Sequence, residues 1–250
     1  MTILTDFRYT SCLSTLIFIF ALVNFSCGLP ADSLHVMAAS SLTEAFEEIA
    51  EEFETVHDIK VSLTIAGSAS IASQLEDGAK VDVVALADEE TMQRVIESRE
   101  LSQQAPKIFA TNYLVLATPL GNPSNIEDLE DLEGSITAIC SEQVPCGKLS
   151  FQLALQKQIE LRPSSFEPNV RSVRAKIELG EVDAGLIYVT DVNEQVNYIR
   201  IEEAEEIKSN YPIASFDGAR VEASDFIDFV LSPTGQKILE KYGFGGPVDY

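Results

Sequence analysis

From residue 34 onward, short β-branched runs alternate with stretches whose apolar residues recur every three to four positions. Residues 34–38 read as a strand. A helix follows from Ser41 to about Val56, with Leu42, Ala45, Phe46, Ile49 and Phe53 on one face. Residues 60–65 form a second strand, and Gly67-Ser68 open a helix that runs to Asp77 and is ended by Gly78. Residues 81–86 make a third strand and 89–98 a third helix. This β-α-β-α-β-α order predicts a mostly parallel sheet with helices on both faces.

Residues 113–118 are a further strand, stopped by Pro119, and 119–134 are loop and acidic helix. A second α/β series then follows: strand 135–139, helix 148–158, helix 171–179 and strand 184–189. Residues 211–216 form a late strand, and helices at 222–231 and 234–242 finish the chain. An internal echo links the two series. Leu75-Glu-Asp-Gly78 leading to Val81-Asp82 resembles Ile177-Glu-Leu-Gly180 leading to Val182-Asp183. It fits two lobes of related build with a ligand cleft between them. Residues 32–110 plus about 213–250 would form one lobe and 111–212 the other, with hinges near 110–118 and 211–216.

Composition narrows what such a cleft could bind. The chain has 250 residues, with 17 Lys and Arg against 40 Asp and Glu, a formal charge of -23. That balance argues against nucleic acid and against an anionic membrane face, which need surplus cations. It also repels small anions at long range, so an anion site here must work through neutral, short-range donors.

The N-terminus reads as an export signal over residues 1–27. Arg8 precedes an uncharged run at 13–23, too short to span a bilayer but suited to a signal core. Removing residues 1–26 takes away Asp6 and Arg8 together, so the charge stays at -23. Cys27, after Ser26, is either the lipidated cysteine of a lipoprotein or a simple cleavage boundary; Asn24 stands where a lipobox usually has Leu. Cys12 lies within the signal. Cys140 and Cys146, six apart, could close a disulfide in an oxidising compartment. Zinc is disfavoured, because His35 and His57 lie far from the cysteines and no two-residue cysteine spacing occurs.

Several strand-to-helix junctions carry candidate donors. Ser41 and Glu44 have capping-box spacing, so Ser41 either caps its helix or offers a hydroxyl and first-turn amides to an anion. Gly67-Ser68 repeats the chemistry after the next strand, at the carboxyl end where open α/β sheets bind ligands. The second lobe adds the turn Val144-Pro145-Cys146-Gly147-Lys148, the helix start Asn169-Val170-Arg171, and Tyr188 at a strand end. Arg171 and Arg174 are expected to pair with glutamates rather than with a ligand.

At these residues the chain resembles the molybdate-binding component of bacterial ABC uptake systems. The resemblance rests on Ala38-Ala-Ser-Ser-Leu-Thr43, Gly67-Ser68, Gly78-Ala-Lys-Val-Asp-Val83, Val144-Pro-Cys-Gly147, Asn169-Val-Arg171, Gly180-Glu-Val-Asp-Ala-Gly-Leu-Ile-Tyr188 and Lys241-Tyr-Gly-Phe244. It implies a two-lobed periplasmic-binding-protein fold of type II, each lobe a mostly parallel sheet flanked by helices. It also implies a molybdate or tungstate oxyanion held without counter-charges by Ser41, Ser68, the amides of Cys146 and Val170, and the Tyr188 hydroxyl. Cys146 stands where many relatives have Ala; a main-chain donor tolerates that change, and its sulfur is read as structural, paired with Cys140. The implied partner is a membrane permease, with no catalysis, no cofactor and no metal cation. Membrane contact would come only through a lipid anchor on an exported, monomeric protein of the periplasm or cell surface.

Other readings compete. A binding protein for sulfate, phosphate or another small oxyanion would differ only in pocket size and donor count. Hydroxymethylbilane synthase shares the architecture and carries its cofactor on a cysteine, but this exported chain lacks the basic cluster that a polyanionic precursor needs. A serine hydrolase lacks both G-x-S-x-G and a nearby histidine base.

Overall fold

Two mixed five-stranded sheets, with separate apolar cores, organise the protein. The computed structural model describes residues 33–98 and 105–247. The export segment, with Cys12 and Cys27, lies outside them.

The first half begins with β1 (Ser33–Ala39), whose end tightens into a 3-10 turn at Ser40–Leu42 before α1 (Thr43–Val56). There follow β2 (Lys60–Ala66), α2 (Ser68–Glu76), β3 (Val83–Ala85), α3 (Glu89–Ser98) and β4 (Lys107–Asn112). Strand alternation distributes the core. Leu34, Val36 and Ala38 of β1 face Ala45, Phe46, Ile49 and Phe53 of α1, while Met37 faces Ile71, Leu75 and Val95 from α2 and α3. Phe46 packs against both Phe109 and Phe226. Truncating it to Ala would cost about 3–5 kcal/mol by cavity formation.

The second half comprises β5 (Leu114–Pro119), β6 (Thr137–Cys140), α4 (Pro145–Lys157), β7 (Ser165–Glu167), α5 (Val170–Glu178), β8 (Ala184–Tyr188), β9 (Val196–Ile199) and α6 (Glu202–Glu206). The chain then returns to the first sheet as β10 (Ser209–Ser215), followed by α7 (Glu222–Leu231) and α8 (Pro233–Lys241). Strand orders are β2-β1-β3-β10-β4 and β7-β6-β8-β5-β9.

The mostly parallel sheets expected from the sequence are present: in each, four of the five strands point the same way and one runs against them. The trio β2-β1-β3 is parallel, as is β7-β6-β8; β10 and β5 then run antiparallel to their neighbours. Those two strands follow the crossings between halves. Tyr113 alone separates β4 from β5, and Lys208 alone separates Ile207, packed in the second core, from β10. The second crossing thus lies just before the stretch 211–216.

The internal echo has a physical basis. Asp82, ahead of β3, accepts the amide of His35 on neighbouring β1 (2.8 Å) and returns its own amide to the His35 carbonyl (2.9 Å). Asp183, ahead of β8, makes the same reciprocal pair with Ile136 beside β6, at 2.7 Å each way. In both halves a glycine at positive φ, Gly78 or Gly180, closes the preceding helix. The repeat therefore sets the register of the two inner strands whose ends face the site. His35 sits on inner strand β1, bonded to Thr64 and the Lys80 carbonyl, and His57 stacks on Phe53.

Candidate functional site

Four helix starts meet at one cavity. Its lining comes from the Ala39–Ser41 turn into α1, Gly67 and Ser68 at α2, Val144–Cys146 at α4, and Pro168–Val170 at α5, with Ala87 and Tyr188 completing it. First-turn amides have no partner inside their own helix, so each start turns free N–H groups and a positive dipole end toward the same place. The space for a water-sized centre is about 20 Å³, room for one small body and not for an organic cofactor. Among the described residues no charged side chain lines it. A larger hollow of about 600 Å³ along Ser215–Val221 is built from the first half alone and contains none of the residues singled out in the sequence.

Ser41, Ser68, Cys146, Val170 and Tyr188 all line the small cavity. Ser68 Oγ accepts the Ala87 amide at 3.0 Å, which leaves its own hydrogen free to be donated. Tyr188 is buried, and its hydroxyl has no hydrogen-bond partner among the described residues. Burial pushes that phenol well above its usual range, so it stays a neutral donor.

Ser41 is not a helix cap. The 3-10 turn places α1 two residues later, and Ser41 Oγ lies 2.9 Å from the hydroxyl of buried Tyr211. Glu44, the other half of the expected capping box, is drawn away by Arg171, whose guanidinium binds it through two nitrogens. A bidentate charged pair outcompetes a neutral capping bond. Tyr211 carried no signal in the sequence, because a tyrosine in an apolar strand reads as core.

The nearby cations are occupied by carboxylates. Arg171, on α5, reaches across to the Ser40 carbonyl (3.1 Å) and Glu44 in the first half, and its Nε lies 2.8 Å from buried Asp191. Arg174 pairs with Glu178 at 3.0 Å. Lys148, on α4, crosses on another side to Asp88 (3.3 Å) and Glu90 (3.0 Å). Arg171 holds the Glu44 carboxyl below its ordinary range. Asp191 behaves oppositely: burial raises it to about 7 against the pull of Arg171 and Arg174. The outcome is an uncharged, amide- and hydroxyl-lined cavity flanked by two ion-pair bridges between the halves.

Close backbone approaches shape the walls. A Cβ on Gly67 would lie 2.9 Å from the Pro168 carbonyl oxygen of the other half. At Gly147 it would lie 1.9 Å from the Ser141 carbonyl, so only glycine lets α4 start against that turn. Cys140 and Cys146 are disulfide-bonded, which ties the end of β6 to the first turn of α4. Among the described residues no group of three or more His, Cys, Asp or Glu gathers to hold a metal, and no helix is long and apolar enough to cross a membrane.

The chain is similar to known extracellular binding proteins. A family model described as bacterial extracellular solute-binding protein matches residues 34–245. The molybdate-binding protein ModA of Mycobacterium tuberculosis is 36% identical over 225 residues, covering 87% of this chain and 86% of the relative. The periplasmic molybdate-binding protein of Azotobacter vinelandii superposes with a TM-score of 0.71 at 17% identity, over 86% of this chain and 100% of that one. The sulfate-binding protein SubI of Mycobacterium tuberculosis superposes with a TM-score of 0.69 at 18% identity, over 87% and 88%. At such identities the two structures establish a common fold, the two-lobed type II architecture of periplasmic binding proteins.

Proposed function

From the premise that this chain belongs to the bacterial extracellular solute-binding protein family, we propose that it captures molybdate, or tungstate in its place, and delivers it to the permease of an ABC transporter. The observation that carries this reading is the convergence of four helix starts on one small cavity without a charged lining. A tetrahedral dianion is all acceptor, and such a cavity is all donor. Ser41, Ser68 and Tyr188 supply hydroxyls; Cys146 and Val170 supply main-chain amides. Excluding water strengthens each of these neutral dipoles, so a protein of charge -23 can hold an anion without a counter-ion.

Residues 33–112 with 209–247 act as one lobe and 114–207 as the other, hinging at the two crossings. The anion takes donors from both lobes and so favours their closure, which the permease reads. The chain works outside the cytoplasm as a monomer, either held to the membrane through lipid on Cys27 or released by cleavage of the signal. No chemistry is done on the ligand.

The test is a titration of residues 28–250 with molybdate, tungstate, sulfate and phosphate, read by calorimetry and melting. Molybdate and tungstate are expected to bind and to raise the melting temperature. Ser41→Ala and Ser68→Ala should each weaken binding by about 1–3 kcal/mol, the cost of leaving a buried oxyanion short of a donor. Binding of sulfate or phosphate alone would keep the fold and reassign the ligand. Unchanged affinity in the double variant would remove these serines from the site.

A further inference from the structure

The serine donors are useful to an acceptor-only anion only if their hydroxyl hydrogens point into the cavity. A hydroxyl can equally well accept, so something must set its direction. For Ser68 the Ala87 amide does so directly. For Ser41 the answer lies behind the site, in groups outside the cavity lining.

Asn112 ends β4 at the first crossing and is 2% exposed. Its Oδ1 accepts the Tyr113 amide at 3.0 Å, which fixes the orientation of the side-chain amide. The two hydrogens on Nδ2 then go to Thr190 Oγ1 at 2.8 Å and to the Tyr211 hydroxyl oxygen at 3.3 Å. Tyr211 Oη and Ser41 Oγ lie 2.9 Å apart, where either hydroxyl can donate; with the tyrosine oxygen already engaged by Asn112, the chain runs with Tyr211 donating to Ser41. Ser41 Oγ accepts in turn, and its hydrogen is left for the cavity. Tyr211 is fully buried among Phe109, Tyr188 and Phe244. Burial raises its phenol, so the hydroxyl keeps its proton and the direction of the chain is preserved.

We propose that Asn112 and Tyr211 are positioning residues, a one-way hydrogen-bond chain that holds Ser41 as a donor to the bound oxyanion. This rests on the reading that Ser41 binds the anion. Neither residue touches the ligand. Thr190 belongs to the second half, so the chain also ties the polarity of a first-half donor to the juncture between halves. The consequence is a specificity rule: while Tyr211 occupies the acceptor side of Ser41, that side cannot serve an anion bearing its own hydrogen.

The experiment is a double-mutant cycle with Tyr211→Phe and Ser41→Ala, molybdate affinity being read by calorimetry. Tyr211→Phe keeps the ring and its packing. Alone it should weaken molybdate by about 3- to 10-fold, the loss of one neutral hydrogen bond. In the Ser41→Ala background it should change affinity less than about twofold, because the chain then has no end to act on. Tyr211→Phe should also shift the ratio of hydrogen arsenate to molybdate affinity toward arsenate, which a merely structural role would not do. Asn112→Ala reads the same chain one bond further back but also loses Thr190, so its effect should shrink, by the part that runs through Tyr211, when Ser41 is Ala. Equal losses from Tyr211→Phe in both backgrounds would overturn this proposal alone. Wild-type affinity in Ser41→Ala itself would overturn the underlying reading and the proposal with it.

Discussion

Gly67→Ala offers a way to separate closure from folding. Gly67 precedes α2 with φ -63° and ψ 141°, an extended conformation open to any residue. The new methyl group would therefore cost little backbone energy within its own half. Its weaker capping ability costs roughly 0.5 kcal/mol, whether the halves are together or apart. Across the cavity, however, it would sit 2.9 Å from the Pro168 carbonyl oxygen and 3.1 Å from Asn169 Cβ. The first neighbour is main chain at the start of α5 and cannot swing aside as a long side chain can. The halves must separate by about half an ångström or accept an overpacked contact, which typically costs 1–3 kcal/mol. Since 1.4 kcal/mol is a factor of ten, molybdate affinity should fall by about 5- to 150-fold. Calorimetric titration gives the affinity, and a melting curve without ligand checks that the fold has lost no more than the small capping cost. An affinity within twofold of wild type would refute the reasoning. So would a ligand-free fold weakened as much as the binding.

Two further outcomes follow from the same geometry. Asp191 keeps in the folded protein a proton that the unfolded chain releases between about pH 4 and the folded value of about 7. Its contribution to stability therefore falls as pH rises through that window, by up to about 1.4 kcal/mol per pH unit. Asp191→Asn removes the dependence, so its melting temperature relative to wild type should climb between pH 5 and 8; a constant difference would contradict this. Opening the Cys140–Cys146 bond releases a loop with sequence separation 6, which chain-entropy reasoning values at about 2 kcal/mol. Cys140→Ser should lower the melting temperature while moving molybdate affinity far less, because residue 146 is read as contributing only its amide.

The elements most legible in the sequence were those with strong periodicity. Helices at Glu89–Ser98 and Glu222–Leu231 have the bounds expected of them, each with a clear apolar face. Four elements escaped: Lys107–Asn112, Ser165–Glu167, Val196–Ile199 and Glu202–Glu206. All are six residues or shorter; three are edge strands and the fourth lies just before the second crossing, where partners rather than local pattern create the structure. The first is instructive. Thr111 and Asn112 look like loop residues, yet both are buried, because Thr111 pairs with Gly245 and Asn112 anchors the tyrosine–serine chain.

At the site, Ser41, Gly67, Ser68, Val144–Cys146, Asn169, Val170 and Tyr188 stood out in the sequence because Ser, Gly and a strand-end Tyr at helix starts have recognisable chemistry, while the exact donor set came from the family resemblance and Ala87 and Pro168 carried no signal. Those behind the cavity did not stand out. Tyr211 lies in an apolar strand, Asp191 in a short turn, and the contact of Arg171 with Glu44 spans 127 residues of chain. Such pairings come from the meeting of two halves, and no local pattern encodes them.

The most direct test of the central claim is a crystal structure grown with molybdate, with diffraction recorded on both sides of the molybdenum absorption edge. One anomalous peak per chain is expected in the cavity, within hydrogen-bonding reach of Ser41, Ser68, Tyr188 and the amides of Cys146 and Val170. A peak elsewhere on the protein, or a cavity without one at saturating molybdate, would contradict the claim.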